Sequence, residues 1–139
     1  MTQKAKKISG WVLTALLAFV FIGSAVMKLT GGEEAAKTAA SMGLTAGTIQ
    51  IIGLIEIVSL LLFIFPRTGL LGTLLLAAYL GGAIATHLEH QQPIFAPVII
   101  QALLWITATI RFPELSRRLA ANKPVERENG ILASSRLAA

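Results

Sequence analysis

Apolar residues along this chain gather into four long blocks separated by short polar punctuation, at about residues 8–29, 48–65, 69–88 and 96–112. The blocks are too long for single strands and lack the period-two alternation of a membrane barrel. A helix satisfies its own backbone hydrogen bonds, which lipid cannot do for it. At a rise of about 1.5 Å per residue, roughly 20 residues cross a hydrocarbon core of about 30 Å. The first and third blocks reach that length, and the second and fourth sit at its short end. The pattern predicts an all-α chain folded as a four-helix transmembrane bundle.

The connections refine this picture. Residues 30–47 form the longest one, bounded by Gly31 and Gly32 at one end and by Gly43 and Gly47 at the other. Residues 33–42 between them suit a short interfacial helix. Pro66-Arg67-Thr68 is a tight turn, because proline stops the helix before it. Glu89, His90, Gln91, Gln92 and Pro93 separate the third and fourth blocks, and Pro113 closes the fourth. This gives one membrane domain over residues 1–115. A polar cytoplasmic tail follows over residues 116–139, amphipathic at its start and then partly disordered.

Composition supports lipid as the solvent. Of 139 residues, 55% are hydrophobic and only 14% are charged, against about 45–50% and about 25% in a soluble domain. So short a chain cannot hide that surplus in its own core. The absence of cysteine excludes thiolate catalysis, disulfide exchange and iron–sulfur ligation by this chain. The net charge of +5 does not point to nucleic acid, because the basic residues flank apolar blocks and form no stripe with interleaved aromatics.

Those flanks set an orientation. With the N-terminus inside, ten basic residues are cytoplasmic: Lys4, Lys6, Lys7, Arg67, Arg111, Arg117, Arg118, Lys123, Arg127 and Arg136. Two, Lys28 and Lys37, are outside. The bias places both termini on the cytoplasmic side of the membrane. A rival reading takes the first block as a cleaved signal peptide, with Gly23-Ser24-Ala25 as the cleavage region. Its apolar stretch exceeds the usual h-region of about 7–15 residues, which favours a span.

Small residues crowd the third block, among them Gly81, Gly82, Ala83 and Ala85. At one-turn spacing they allow close helix approach. Gly23, Gly53, Gly82 and Ala83 are therefore expected at packing seams within the bundle, with a homo-oligomer seam as the other use of the same face. The first and third blocks also end alike, at Gly23 to Leu29 and at Gly81 to Leu88, which hints at a duplicated hairpin.

Ionisable residues inside spans are costly and need a reason. Glu56 lies about eight residues into the second block, roughly 12 Å below its outer end, and its stem is too short to snorkel. Lys28 and His87 close the first and third blocks at the same outer end, and Gln101 stands near the outer end of the fourth. In a small bundle these four can share one polar pocket. Gly53 and Ser59 lie on the face of Glu56, Ser24 is one turn from Lys28, Trp105 is one turn from Gln101, and Tyr79 is on the face of His87. Structural uses compete with this reading: Lys28 snorkelling to the interface, His87 as a boundary residue, Gln101 bonding a neighbouring helix, and Trp105 and Tyr79 packing. His87, Glu89 and His90 adjoin in sequence but supply only two imidazoles, so no metal site is expected.

One ordered set of residues carries a family resemblance. It comprises Phe21, Gly23, Lys28 and Leu29; Gly53 and Glu56; Pro66, Arg67, Thr68 and Gly72; Gly82, Ala83 and His87; and Trp105, Arg111 and Pro113. In this order and spacing, over residues 8–115, the chain resembles the DoxX-like family of small bacterial membrane proteins. The resemblance implies a four-helix membrane bundle. It also implies an association with membrane oxidoreductases, since relatives include a subunit of thiosulfate:quinone oxidoreductase. The expected function is a redox-linked subunit whose pocket of Glu56, His87 and Lys28, with Trp105 packed on the ring, holds a quinone or similar amphiphile. A non-enzymatic partner that stabilises another membrane protein and a small proton-coupled carrier are the alternatives.

Overall fold

The computed structural model describes residues 2–120, and over that range every regular element is helical. The helices are α1 (Gln3–Thr30), α2 (Glu33–Ser41), α3 (Ala46–Ile64), α4 (Gly69–Glu89), α5 (Phe95–Arg111) and α6 (Pro113–Ala120). The expected interfacial helix is α2, and the expected amphipathic start of the tail is α6. The rest of that tail, residues 121–139, lies outside the described residues.

Local chemistry sets the ends. Thr2 caps α1 by accepting from the Ala5 amide at 3.3 Å, and Thr45 caps α3 by accepting from the Thr48 amide at 3.2 Å. Gly31 ends α1 at φ 67°, a left-handed position that suits a residue without Cβ. Thr68 ties the tight turn back to α3 through its hydroxyl, which donates to the Leu62 carbonyl at 2.9 Å.

The four long helices close a ring. α1 packs on α3 and α5, and α4 packs on the same two, so each neighbour runs antiparallel. Leu17, Phe21, Leu60, Phe63, Leu76, Leu80 and Leu104 fill the centre. Outward-facing positions are also apolar, as at Phe19, Leu54, Leu74 and Ile99, which suits a lipid-facing surface. Buried hydroxyls bond within their own helices. Thr14 donates to the Gly10 carbonyl at 2.7 Å, and Thr73 donates to the Gly69 carbonyl at 2.8 Å.

α1, α3 and α4 have the length and apolarity of membrane spans. α5 has 17 residues and turns by 101° into α6. Among the described residues there are therefore three candidate spans, or four if the bent pair α5–α6 counts as one.

The small-residue expectation needs correction. A Cβ built at Gly82 or Gly23 would meet nothing within 4 Å, so neither glycine sits at a close seam within the bundle. Gly53 does: its Cβ would lie 3.0 Å from Lys28 Cβ. Ala83 is half-buried. The tightest backbone approach is at Gly72, where a Cβ would fall 2.1 Å from the Phe63 nitrogen. Gly72 stands one turn past the α3–α4 connection, where two antiparallel helices joined by a short turn are forced together.

Candidate functional site

Near the Lys28 end of the ring, three helices meet in one polar network. Lys28 Nζ donates to Glu56 Oε2 at 2.7 Å and to Tyr79 Oη at 2.8 Å. It also donates to Ser24 Oγ, one turn earlier on α1. Ser24 Oγ in turn donates to Glu56 Oε2 at 3.4 Å. The Glu56 side chain is 1% exposed and that of Lys28 is 15% exposed. A lysine at the end of α1 thus turns inward instead of snorkelling to the interface. Gly53, one turn before Glu56, makes room for the Lys28 stem. The edge of the Phe21–Tyr79 pair, with centroids 6.2 Å apart, fixes the phenol ring from below.

A lysine ammonium has three protons, and here all three have acceptors. Tyr79 Oη accepts from Lys28, and its own proton has no acceptor among the described residues. Glu56 Oε2 accepts two bonds, whereas Oε1 accepts none among the described residues. One hydroxyl donor and one carboxylate acceptor are therefore left over.

Both residues line a cavity of about 600 Å³. Its walls come from α1, α3, α4 and the start of α5, and Thr38 of α2 and Met42 just after it cover the space. Ile52, Leu75, Ala78, Leu80, Pro97 and Ile100 make it largely apolar. Val20, Met27 and Ile55 line it and are also substantially exposed, so it opens onto the apolar exterior. Gly82 borders this space, which explains why nothing stands near its missing Cβ. The α2 cover is held by the connection between α4 and α5. Gln92 Nε2 donates to Ser41 Oγ at 3.2 Å, and the His90 ring packs on Gly43.

His87 lines the same cavity. Its Nδ1 lies 2.7 Å from the Ala83 carbonyl, which can only accept, so Nδ1 is the donor of that bond and Nε2 takes no part in it. The shared pocket of four residues is only partly realised. Lys28 and Glu56 are in direct contact and His87 is on the same wall, but Gln101 and Trp105 do not line the cavity. Gln101 Oε1 is buried without a hydrogen-bond partner among the described residues. Its depth along α5 matches the site, but its direction around the helix does not.

Tyr79, which the sequence offered either as pocket lining on the face of His87 or as a packing residue, is the fourth member of the network. The signal available was its position two turns before His87 on the same helix face, with a phenol able to reach across the ring.

A multi-pass helical bundle with a buried lysine–glutamate–tyrosine network on the wall of an apolar cavity defines a class of small membrane protein built around an internal polar site. The model of the DoxX-like family matches residues 12–109, and the chain belongs to that family. No curated protein and no solved structure matches the chain.

Proposed function

We propose that this protein is a redox-linked membrane subunit that binds a quinone or a chemically similar amphiphile in the cavity beside Glu56. The carrying observation is the pair of unused groups on the wall: the Tyr79 hydroxyl as donor and Glu56 Oε1 as acceptor. A quinone carbonyl accepts from Tyr79, and a quinol hydroxyl donates to Glu56. Lys28 holds Glu56 and Tyr79 in place and keeps positive charge beside the head group. The apolar walls take the ring, and the exposed rim at Val20, Met27 and Ile55 lets an apolar tail leave toward lipid. His87 stands on the same wall. An oxidoreductase partner supplies the electron acceptor or donor. The basic residues at the N-terminal end of the ring support a placement in a bacterial inner membrane with that end cytoplasmic.

The test is direct. The protein is purified from native membranes in mild detergent and extracted with organic solvent, and the extract is assayed for quinone. Equilibrium dialysis with a short-chain quinone then measures binding to the wild type and to Glu56→Gln. Wild type is expected to carry quinone and bind the analogue saturably, whereas Glu56→Gln, which keeps a hydrogen-bonding oxygen for Lys28 but removes its counter-charge, melts lower yet still folds, and per folded molecule binds at least about tenfold more weakly. Wild-type protein that carries no quinone and shows no saturable binding would overturn the reading.

A further inference from the structure

The opposite end of the ring holds a second cavity of a different kind. It is an open groove of about 1250 Å³ formed where the start of α1, the turn between α3 and α4, and the bend between α5 and α6 meet. Lys6, Lys7, Arg67, Arg111 and Arg117 line it, against Glu114 as the one acid among its described lining residues. Arg111 is committed elsewhere: its guanidinium donates to the Phe63 and Ile64 carbonyls at 3.1 and 2.9 Å. The other four cations are exposed and make no ion pair among the described residues. The groove therefore concentrates positive charge that the described part of the fold does not neutralise.

Its remaining wall is apolar. Trp11 is 46% exposed and Leu70 is 38% exposed, and both line the groove on the side of the spans. An indole at that level is the residue type that sits at a membrane–water boundary. α6 turns 101° away from α5 and brings Ser116 and Arg117 over the groove. An excess of positive charge, an aromatic at the boundary and an apolar wall continuing along the spans together match one kind of ligand.

We propose that this groove is a binding site for an anionic phospholipid, with the headgroup phosphate held by Arg67, Arg117, Lys6 and Lys7 and the acyl chains laid against Trp11 and Leu70. A free phosphate would use the cations but leave the apolar wall unoccupied. A lipid uses both, and it lies at the correct depth by default. Basic pockets between spans are established places for anionic headgroups. This site is independent of the cavity beside Glu56, which lies at the other end of the ring.

The experiment is native mass spectrometry of the full chain in mild detergent, supplemented with equal amounts of phosphatidylglycerol and phosphatidylcholine. The wild type is expected to retain phosphatidylglycerol roughly fivefold or more over phosphatidylcholine. Arg67→Gln combined with Arg117→Gln should abolish that preference, with the lipid-free melt unchanged because both side chains are exposed. Lys4→Gln combined with Arg118→Gln removes the same charge from outside the groove and should leave the preference intact. Millimolar inorganic phosphate should not displace the lipid. Equal retention of the two lipids, equal loss in both double variants, or displacement by inorganic phosphate would each overturn the proposal. The first would remove the site, the second would reduce it to diffuse surface charge, and the third would reassign it to free phosphate.

Discussion

Two cations are drawn into the bundle, one at each end, and they are satisfied in opposite ways. Lys28 meets a carboxylate, a phenol and a hydroxyl, and the group borders a cavity. Arg111 meets no acid among the described residues. It donates to two carbonyls at the end of α3 and to Thr14 Oγ1 at 3.2 Å, and it lies 4.8 to 5.1 Å from the ring centroids of Trp11, Phe63 and Phe112. The carbonyls at a helix C-terminus lack intrahelical partners and carry partial negative charge, so a guanidinium there joins three helices at little cost. That is a structural clamp, and it needs no titratable partner. The Lys28 network spends a second ionisable group in a medium that penalises it, and leaves a donor and an acceptor unused. The contrast separates a charge that holds the fold together from a charge arranged for something else.

The hardest break of this comparison is Lys28→Met. It leaves Glu56 buried without its cation, and losing one partner of a buried pair costs about 3–5 kcal/mol. A thermal melt in detergent should fall sharply. Adding Glu56→Leu should restore most of the lost stability, because an apolar pair replaces an ionic one. The double variant should still fail to bind the quinone analogue. A Lys28→Met protein that melts like the wild type would show that the pair does not hold the bundle together.

Arg111→Ala tests the other end. Charge-assisted hydrogen bonds are worth about 1.5–3 kcal/mol each, and relaxation with water entry recovers part of that, so a net loss of about 2–3 kcal/mol is expected. Because the two ends are well separated, quinone affinity per folded molecule should stay within about twofold. A tenfold loss of affinity with an unchanged melt would erase the distinction between clamp and site.

These features differed in how far sequence could reach them. Apolar block lengths carried the helices, and depth counting along each block brought Lys28 and Glu56 to one level, where they meet. Depth did not carry rotation about the helix axis. Gln101 and Trp105 therefore do not line the cavity, whereas Tyr79, which its spacing put on the face of His87, does. Glycine carried a different ambiguity. Gly72 marks backbone contact with Phe63, whereas Gly82, on the same helix, marks empty space at the cavity wall. A missing side chain has both uses, and only the neighbouring helix decides between them.

Gly82→Leu turns that ambiguity into a measurement. At a packed seam a leucine would wedge helices apart. At a cavity wall it fills space, so the melt should shift by less than about 1 kcal/mol while quinone affinity falls about tenfold. Gly72→Ala is the reference: its Cβ would collide with the α3 backbone, and the melt should fall. Comparable melts for both variants would mean that Gly82 does not border open space.

Tyr79→Phe is the smallest change and separates the two roles inside the Lys28 network. The ring remains, so its edge contact with Phe21 and its place in the wall are kept. Only the hydroxyl is lost, which removes one acceptor from Lys28 and the one donor left for a ligand. A single hydrogen bond between membrane helices averages about 0.6 kcal/mol and reaches at most about 1.7. Lys28 keeps Glu56 and Ser24, so the melt should fall by no more than about 1 kcal/mol. A ligand carbonyl loses its donor in a site screened from water, where the same bond is worth more, so affinity should fall about five- to tenfold. The ratio of the two effects is the diagnostic. If Tyr79 served only to satisfy Lys28, stability would fall and binding would not. Binding that falls while the melt barely moves identifies the Tyr79 hydroxyl as the group that faces the ligand.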